Sequence, residues 1–178
     1  MSPNSTRIPG TSLQLCGLTQ RFNSKKVRER ITACCNETTI YDRLFRERLA
    51  GRSYTSDDAR DFIQWAAAGW SSHRYYVFIA NDPDGLPCAS CDLKTATRTD
   101  DEIGYWRSQR VEGSMAMIVR QVLSLALENG FNGFHARVAR DNLGSIAVLE
   151  RLGFVLSDRH DVNGRLVFTR RARESQST

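Results

Sequence analysis

The sequence predicts one α/β domain of the α+β type, in which helices cover both faces of a mixed, mostly antiparallel sheet of about seven strands. Three strand-like segments in the middle of the chain are joined by short turns, as in an antiparallel meander. The chain then continues as helix, strand, helix and two strands, which makes the sheet mixed. With 178 residues, 40% hydrophobic and 25% charged, it is the size of one globular domain with a full core.

Both ends of the chain differ from the domain between them. Residues 1–10 are polar, contain two prolines and are predicted to be disordered, and residues 171–178 are predicted to form a basic and polar tail. The domain is therefore expected to span residues 11–170. No apolar run is long enough to span a bilayer and the N-terminus lacks the apolar core of a signal peptide, so we expect a cytoplasmic location.

The domain is predicted to begin with one strand and two helical segments. Leu13–Leu18 has the composition of a strand, and Thr19 follows it as the expected cap of a basic helix over about residues 20–34. A second helical segment lies between Asn36 and Arg52, where Gly51 is expected to end it.

A third helix precedes the meander. Thr55-Ser56-Asp57-Asp58 is typical of a helix N-terminus because a hydroxyl cap is followed by two acids in the first turn. This helix is expected to end near Gly69-Trp70.

The strands of the meander are rich in aromatic and β-branched residues and alternate with turn residues. They are predicted over Arg74–Ala80, Leu86 to about Thr97, and Glu102–Trp106.

The segment Gln109–Ala116 is predicted to open the central helix, which runs to about Asn129 with apolar residues on one face and ends at Gly130. The first backbone N–H groups of a helix have no intrahelical partner, and together with the helix dipole they form a site for an anion such as phosphate. Gly113 leaves the backbone open to a phosphate, and Arg110 adds positive charge. An ordinary helix start remains the alternative interpretation.

The remaining segments complete the predicted sheet. Gly133–Val138 is expected to be a short strand, and Asp141-Asn142 is expected to cap the following helix. Gly153–Leu156 and Leu166–Phe168 are then predicted as two strands joined by a hairpin turn.

Composition limits the classes of function. The formal net charge of +5 favours anionic partners, but the basic residues are scattered and lack interleaved aromatics, so the sequence does not favour nucleic acid binding. An odd number of cysteines predicts free thiols. Cys88-Ala89-Ser90-Cys91 has the spacing of metal ligands, but on a strand residues i and i+3 point to opposite faces, so no metal site is expected.

Four motifs together resemble the GNAT superfamily of acetyl-CoA-dependent N-acetyltransferases, most closely the branch that acetylates the N-termini of ribosomal proteins. They are Glu102-Ile103-Gly104-Tyr105-Trp106, Arg110-x-x-Gly113-x-Met115, Ala136-Arg137-Val138 and Asn142-x-x-Ser145-x-x-Val148-Leu149-Glu150-x-Leu152-Gly153-Phe154. Their order and spacing extend the resemblance over about residues 12–169.

The resemblance implies acetyl-CoA as the cofactor, with its pyrophosphate at the start of the central helix. It also implies that the strand before the turn splays from its parallel neighbour and pairs with the pantetheine arm, mainly through backbone groups. An asparagine at the next helix start contacts that arm. The implied cofactor-binding residues are Tyr105, Trp106, Arg107, Arg110, Gly113, Ser114, Met115, Asn142 and Ser145.

The implied reaction is direct transfer of the acetyl group from a thioester to a primary amine. Glu102 is the expected general base, and Ser145 or Tyr105 is the expected proton donor to the leaving thiolate. A solvated strand-edge carboxylate remains the alternative for Glu102, and a helix-start hydroxyl the alternative for Ser145. His135 is a second candidate base, although a surface position beside Arg137 is expected for it.

The acceptor and the partners stay open at the level of sequence. A protein N-terminus, a small metabolite and an antibiotic are all compatible with the motifs. Val111 and Glu112 depart from the family pattern, and they motivate the alternative of a degenerate member that binds CoA or a protein partner without catalysis. A monomer or a homodimer is expected, the latter because residues 166–168 are predicted to form an exposed edge and Trp70 to be exposed.

Overall fold

The computed structural model describes residues 1–2, 4–95 and 97–172. In this part of the chain eight strands form one sheet and five α-helices pack on it. The strands are β1 (Thr6–Arg7), β2 (Gln14–Gly17), β3 (Tyr76–Asn81), β4 (Pro87–Leu93), β5 (Asp101–Arg107), β6 (Gly133–Val138), β7 (Val155–Leu156) and β8 (Leu166–Arg171). The helices are α1 (Lys25–Cys35), α2 (Thr38–Leu44), α3 (Ser56–Ser72), α4 (Met115–Glu128) and α5 (Leu143–Arg151).

The strand order is β1-β2-β3-β4-β5-β6-β8-β7, and all neighbours are antiparallel except β5 and β6. That parallel pair is short: only Asp101 and Glu102 are in register with Phe134 and His135. Beyond these residues the two strands separate, while β5 remains paired with β4 as far as Arg107. The predicted mixed sheet with splayed central parallel strands is thus confirmed.

Hydrophobic layers cover both faces of the sheet, as predicted. Side chains of β3 alternate between them: Phe78 packs in the layer that holds α4 and α5, whereas Val77 and Ile79 pack in the layer of α1, α2 and α3. This alternation follows from the two-residue repeat of a strand. The two layers give the sheet a separate helical cover on each side.

The observed helix N-terminus matches the predicted one where the sequence contains a complete capping box. At α3 the Thr55 hydroxyl accepts from the Asp58 N–H and the Asp58 carboxylate accepts from the Thr55 N–H, which completes the predicted capping box. The helix predicted to follow Thr19 instead begins at Lys25. Ser24 caps it by accepting from the Val27 N–H, whereas Thr19 precedes a short 3-10 turn and caps nothing.

The prediction of disorder for residues 1–10 is wrong where the structure forms β1. Thr6 and Arg7 pair with β2, and the Ile8 side chain is fully buried in the core. Backbone pairing and one buried apolar side chain hold this segment, and neither shows in its polar composition. In the predicted tail, Arg171 is the last residue of β8, and residues 173–178 lie outside the described residues.

Neither feature that suggested a homodimer is exposed. β8 lies between β6 and β7: residues 166–168 all pair with β6, Phe168 also pairs with Leu156 of β7, and the Val167 carbonyl accepts the Ser157 N–H, so the short strand β7 forms that edge of the sheet. Trp70 is 6% exposed and its ring N–H donates to the Val77 carbonyl at 2.8 Å. The neighbouring strand β7 covers the edge of β8, and the aromatic core buries Trp70.

The five cysteines are free and buried, as predicted for thiols without a disulfide framework. Burial raises the pKa of the Cys88 thiol to about 12, which leaves it protonated and unreactive. No helix among the described residues is both long and apolar enough to cross a membrane.

The Thr55 cap provides a stability test. Thr55→Ala removes the hydroxyl that accepts the Asp58 N–H, and we expect the free energy of unfolding to fall by about 1 kcal/mol. Thermal melts should show a drop of roughly 2–4 °C in Tm. Ser56→Ala, one residue further on the exposed surface of the same turn, is the matched control and should keep the wild-type Tm.

Candidate active site

An open cleft of about 780 Å³ lies where β5, α4, α5 and α2 meet. The C-terminal half of β5 and the turn after it form its floor, the start of α4 one end, and α2 and α5 its walls. The lining residues most relevant to chemistry are Arg43, Tyr105, Trp106, Arg107, Glu112, Gly113, Met115, Asn142, Ser145 and Arg151.

The start of α4 presents unpaired backbone donors to this cleft. Ser114 makes no side-chain cap, because its hydroxyl donates to the Val111 carbonyl at 2.6 Å. Among the described residues, the N–H groups of Gly113, Met115 and Ala116 have no hydrogen-bond partner. Gly113 has φ +79° and open space where a Cβ would stand, so this turn favours glycine and leaves the donors accessible.

Two residues predicted for the same anion site lie outside the cleft lining. The Ser114 N–H already donates to the Val111 carbonyl at 3.3 Å, because the chain makes a tight turn before the helix. Arg110 is exposed on the 3-10 turn Gln109–Val111 and its backbone N–H donates to the Ser108 hydroxyl. The turn therefore presents Gly113 and Met115 to the cleft rather than these two.

A carboxylate from a distant part of the chain holds this turn. Glu37, the residue before α2, accepts the Gln109 N–H at 2.7 Å with one oxygen and the Ser108 hydroxyl with the other. Hydrogen bonds to a charged acceptor are stronger than neutral ones. Glu37 therefore fixes the turn that precedes α4 against the wall formed by α2.

The acidic side chains that line the cleft either point to solvent or form an ion pair with an arginine. The Glu112 side chain is 84% exposed and lies 3.9 Å from the Arg107 guanidinium. Asp141 forms an ion pair with Arg43 at 3.1 Å, which joins the start of α5 to α2. Arg151 lines the wall formed by α5. The acidic residue that departs from the family pattern thus leaves the helix start open to an anion.

Tyr105 and Ser145 meet across the opening between β5 and α5. The Tyr105 hydroxyl donates to the Ser145 carbonyl at 3.2 Å, and the Asn142 side-chain oxygen accepts the Ser145 N–H at 3.2 Å. Burial raises the pKa of Tyr105 to about 12, so its phenol keeps its proton at neutral pH. Two groups able to give up a proton therefore lie at one side of the cleft.

Glu102 lies outside the lining of the cleft, at the last residue where β5 and β6 pair. Its carboxylate is 2.7 Å from the Lys94 ammonium and 3.2 Å from the Arg137 guanidinium. The His135 ring together with these two cations lowers the pKa of Glu102 to about 2. Such a carboxylate is ionised at neutral pH and holds a proton weakly.

A model of the acetyltransferase (GNAT) domain matches residues 26–155, which is most of the chain. The chain belongs to the GNAT acetyltransferase family. It is therefore an acyltransferase by family, and the cleft is the candidate active site. The resemblance predicted the splayed pair β5 and β6 and a helix start with free N–H groups at α4, and the local sequence predicted the Asn142 cap of α5.

Solved structures with the same fold extend over nearly the whole chain. A ribosomal-protein-S5-alanine acetyltransferase from Vibrio fischeri is 13% identical with a TM-score of 0.71, covering 96% of this chain and 98% of its own. The microcin C7 self-immunity acetyltransferase MccE, in complex with acetyl-CoA and AMP, is 15% identical with a TM-score of 0.73, covering 96% and 97%. Mycobacterium smegmatis RimJ, in complex with CoA-disulfide, is 17% identical with a TM-score of 0.69, covering 100% and 93%.

At 13–17% sequence identity, the similarity between this chain and these structures concerns the fold alone. No curated protein sequence matches the chain significantly.

The structure brings most of the predicted residues into one cleft and separates the rest. Glu102, Arg110 and Ser114 are outside its lining, and the other seven predicted residues contribute to it; those seven are Tyr105, Trp106, Arg107, Gly113, Met115, Asn142 and Ser145. Sequence reasoning missed Glu37 and Arg43, because both reach the site from α2 or the residue before it and no local pattern marks them.

The anchoring role of Glu37 can be tested on cofactor binding. Glu37→Ala removes both acceptors from the turn, so the donors at the start of α4 lose their fixed orientation. We expect the Kd for acetyl-CoA, measured by isothermal titration calorimetry, to rise about tenfold, the equivalent of about 1.4 kcal/mol. Glu47→Ala removes an exposed carboxylate after α2 and should leave the Kd unchanged. An unchanged Kd in Glu37→Ala would contradict the anchoring role.

Proposed function

We propose that this protein transfers the acetyl group of acetyl-CoA directly to the α-amino group of a protein or peptide N-terminus. The observation that carries the proposal is the cleft itself, in which a splayed strand and unpaired helix N–H groups meet in a chain of the GNAT family. A cytoplasmic location goes with it, supported by five free thiols in a chain without a disulfide framework.

The residues of the cleft fit the two chemical parts of acetyl-CoA. Gly113, Met115 and Ala116 offer backbone N–H groups suited to a pyrophosphate. Beyond Glu102 the edge of β5 that faces β6 has no strand partner among the described residues, which suits an amide-rich arm. Bound there, acetyl-CoA supplies an acetyl group activated as a thioester.

The leaving thiolate needs a proton, and Tyr105 and Ser145 are the candidate donors. Tyr105 carries its proton at neutral pH, burial makes it a weaker acid than an exposed tyrosine, and its hydroxyl is positioned by the Ser145 carbonyl. The Ser145 hydroxyl, at the first turn of α5, is the alternative donor. Either residue lies on the side of the sheet that carries α4 and α5.

Three features support a peptide N-terminus as the acceptor. The motifs match the ribosomal-protein branch best, and the Vibrio fischeri neighbour is by name a ribosomal-protein-S5-alanine acetyltransferase. The cleft is open to solvent, so a chain end can reach it. The MccE neighbour is named for immunity to an antibiotic, and a small-molecule amine is accordingly the second class to assay.

A degenerate protein that binds CoA without catalysis is not favoured. Val111 is half-buried in the core beside α4, and Glu112 turns to solvent near Arg107, so neither blocks the helix start.

Binding at the helix start is tested by a matched pair of glycine variants. Gly113 and Gly164 both have positive φ and open space at the Cβ position, but only Gly113 lines the cleft. Gly113→Asp and Gly164→Asp should both lower Tm through backbone strain. Acetyl-CoA should raise the Tm of wild type and Gly164→Asp in a concentration-dependent way, and should leave Gly113→Asp unshifted.

Addition of ATP, which carries phosphates without the pantetheine arm, is the specificity control. A protein that shifts equally with ATP and acetyl-CoA, or a wild type that shifts with neither, would contradict the proposed cofactor.

The proton donor is tested with Tyr105→Phe. This change keeps the ring and removes the hydroxyl, so we expect kcat for acetylation of a peptide with a free N-terminal alanine or serine to fall about 100-fold. The Kd for acetyl-CoA should stay within about twofold, because the backbone of β5 is unchanged. A kcat close to that of wild type would transfer the role to Ser145, and Ser145→Ala is the variant to compare. Peptides with a blocked N-terminus are the acceptor control and should remain unmodified.

A further inference from the structure

We infer that His135, held by Asp100 and facing Glu102, accepts the proton from the amine that is acetylated. This inference rests on the proposed function and names the base of that same reaction. It replaces Glu102 as the terminal proton acceptor and gives Glu102 the role of receiving the ammonium group.

His135 is a buried side chain with one ring nitrogen fixed. The residue is 6% exposed, in contrast to the surface position predicted for it, and its Nδ1 lies 3.0 Å from Asp100 Oδ1. The Arg159 guanidinium, at 2.9 Å, and the His135 ring hold the pKa of Asp100 below its usual range. Because an ionised carboxylate only accepts hydrogen bonds, Nδ1 carries the proton and donates it to Asp100.

The other ring nitrogen of His135 has no hydrogen-bond partner. Nε2 is among the few buried side-chain atoms without a partner in the described residues, and it lies 3.7 Å from Glu102 Oε2. With Nδ1 as the donor to Asp100, Nε2 is the ring atom that can exchange a proton with Glu102. An unpaired polar atom in a buried position is costly, and a proton shared with Glu102 satisfies both groups. The site is therefore built to accept one.

Charged groups from every neighbouring element face this pair. β5 contributes Glu102 and the fully buried Asp101, whose carboxylate interacts with the His135 ring, and β6 contributes Arg137 beside Glu102 at 3.2 Å. Lys94, just after β4, contacts Glu102 at 2.7 Å, and the loop between β7 and β8 contributes Arg159 to Asp100 and Asp161 to Arg137 at 3.5 Å. Each permanent cation binds a carboxylate, and the His135 Nε2 lone pair is left to take up a proton.

The position of the pair suits the amine side of the reaction. Glu102 and His135 are the last residues in register before β5 and β6 separate, so they close the base of the opening. Tyr105 is three residues further along β5, about 10 Å at the rise of a strand. Phe134 and Ala136 pack in the layer of α4 and α5, so His135 between them points to the opposite face. The amine and the leaving group are thus served from opposite faces of the sheet.

Acetyl transfer to the amine involves the loss of two protons from nitrogen and the gain of one by sulfur. The acceptor enters as R–NH₃⁺ and is held by the Glu102 carboxylate. One proton passes, through the Glu102 carboxylate, to His135 Nε2, which becomes an imidazolium between Asp100 and Glu102. The free amine nitrogen forms the C–N bond to the acetyl carbon and loses its second proton to solvent, the C–S bond breaks, and the sulfur takes a proton from Tyr105 or Ser145.

Glu102 is suited to pass a proton and unsuited to keep it. Its carboxylate contacts Lys94 and Arg137 and is a weak base, whereas Nε2 of His135 has no hydrogen-bond partner among the described residues. Asp92, on β4 beside Gly104, is the competing candidate, since burial raises its pKa to about 6. The experiment must therefore separate His135 from Asp92.

The first measurement does not depend on turnover. The protein has three histidines, so a ¹⁵N–¹H spectrum of protein labelled at histidine resolves each ring. We expect one ring with the proton on Nδ1 and none on Nε2, and we expect its signals to vanish in His135→Gln. The same ring with a proton on Nε2, whether or not Nδ1 also carries one, would overturn the inference.

The second measurement is the pH dependence of peptide acetylation. At pH 7, His135→Gln should lower kcat/KM about 100-fold, and the deficit should shrink as pH rises through about 8, where an α-amino group loses its proton unaided. A merely misplaced site would give a constant deficit at every pH. His160→Gln, an exposed histidine in the loop between β7 and β8, is the matched control and should follow the wild-type profile.

Two further variants keep the test decisive. Asp100→Asn retains the imidazole and removes the charge that stabilises its protonated form, so kcat/KM should fall about tenfold or more even if His135→Gln folds poorly. If Asp92→Asn, rather than His135→Gln, shows the pH-dependent deficit, the inference is wrong and Asp92 is the base.

If wild type binds acetyl-CoA but acetylates no amine, the proposed function fails and this inference with it. If wild type transfers and His135→Gln matches it, only this inference fails.

Discussion

Backbone pairing between β5 and β6 stops after Glu102, and most of the candidate site follows from that stop. Two neighbouring strands that remain in one sheet but separate leave an edge of β5 without partners. In a protein interior such an edge is unfavourable unless another chain or ligand pairs with it. The turn that follows β5 leads directly into α4, so the open edge and the unpaired helix N–H groups share one cleft.

The same separation divides the chemistry between two faces of the sheet. Strand alternation sends Tyr105 toward α4 and α5, while Glu102 and His135 point the other way. The helix start, with Arg43, Arg107 and Arg151 in the lining of the cleft, suits an anion. In the mechanism that we infer, the Glu102 carboxylate at the base of the opening receives the ammonium group. One splayed strand pair would then serve the anionic donor and the cationic acceptor.

Three long-range contacts give the cleft its shape. Glu37 holds the turn before α4, Arg43 pairs with Asp141 across the wall, and Tyr105 donates to the Ser145 carbonyl across the opening. Each joins residues that are 40 or more positions apart in the chain. The elements themselves are local, but their arrangement around the cleft depends on these contacts.

Local sequence patterns predicted most of the elements, and the four motifs predicted the family by resemblance. Periodicity, the Thr55–Asp58 capping box, the glycines of the turns and four ordered motifs depend on neighbours within a few residues, and they were sufficient to predict the mixed sheet, the α4 start and seven of the cleft residues. The sequence-based prediction failed at Thr6–Arg7, where pairing with β2 outweighs polar composition. Only the tertiary structure decided that Glu102 is held by two cations, that His135 is buried with one free nitrogen, and that Glu37 anchors the turn. Burial and charge pairing are set by residues distant in the chain, and no local pattern carries that information.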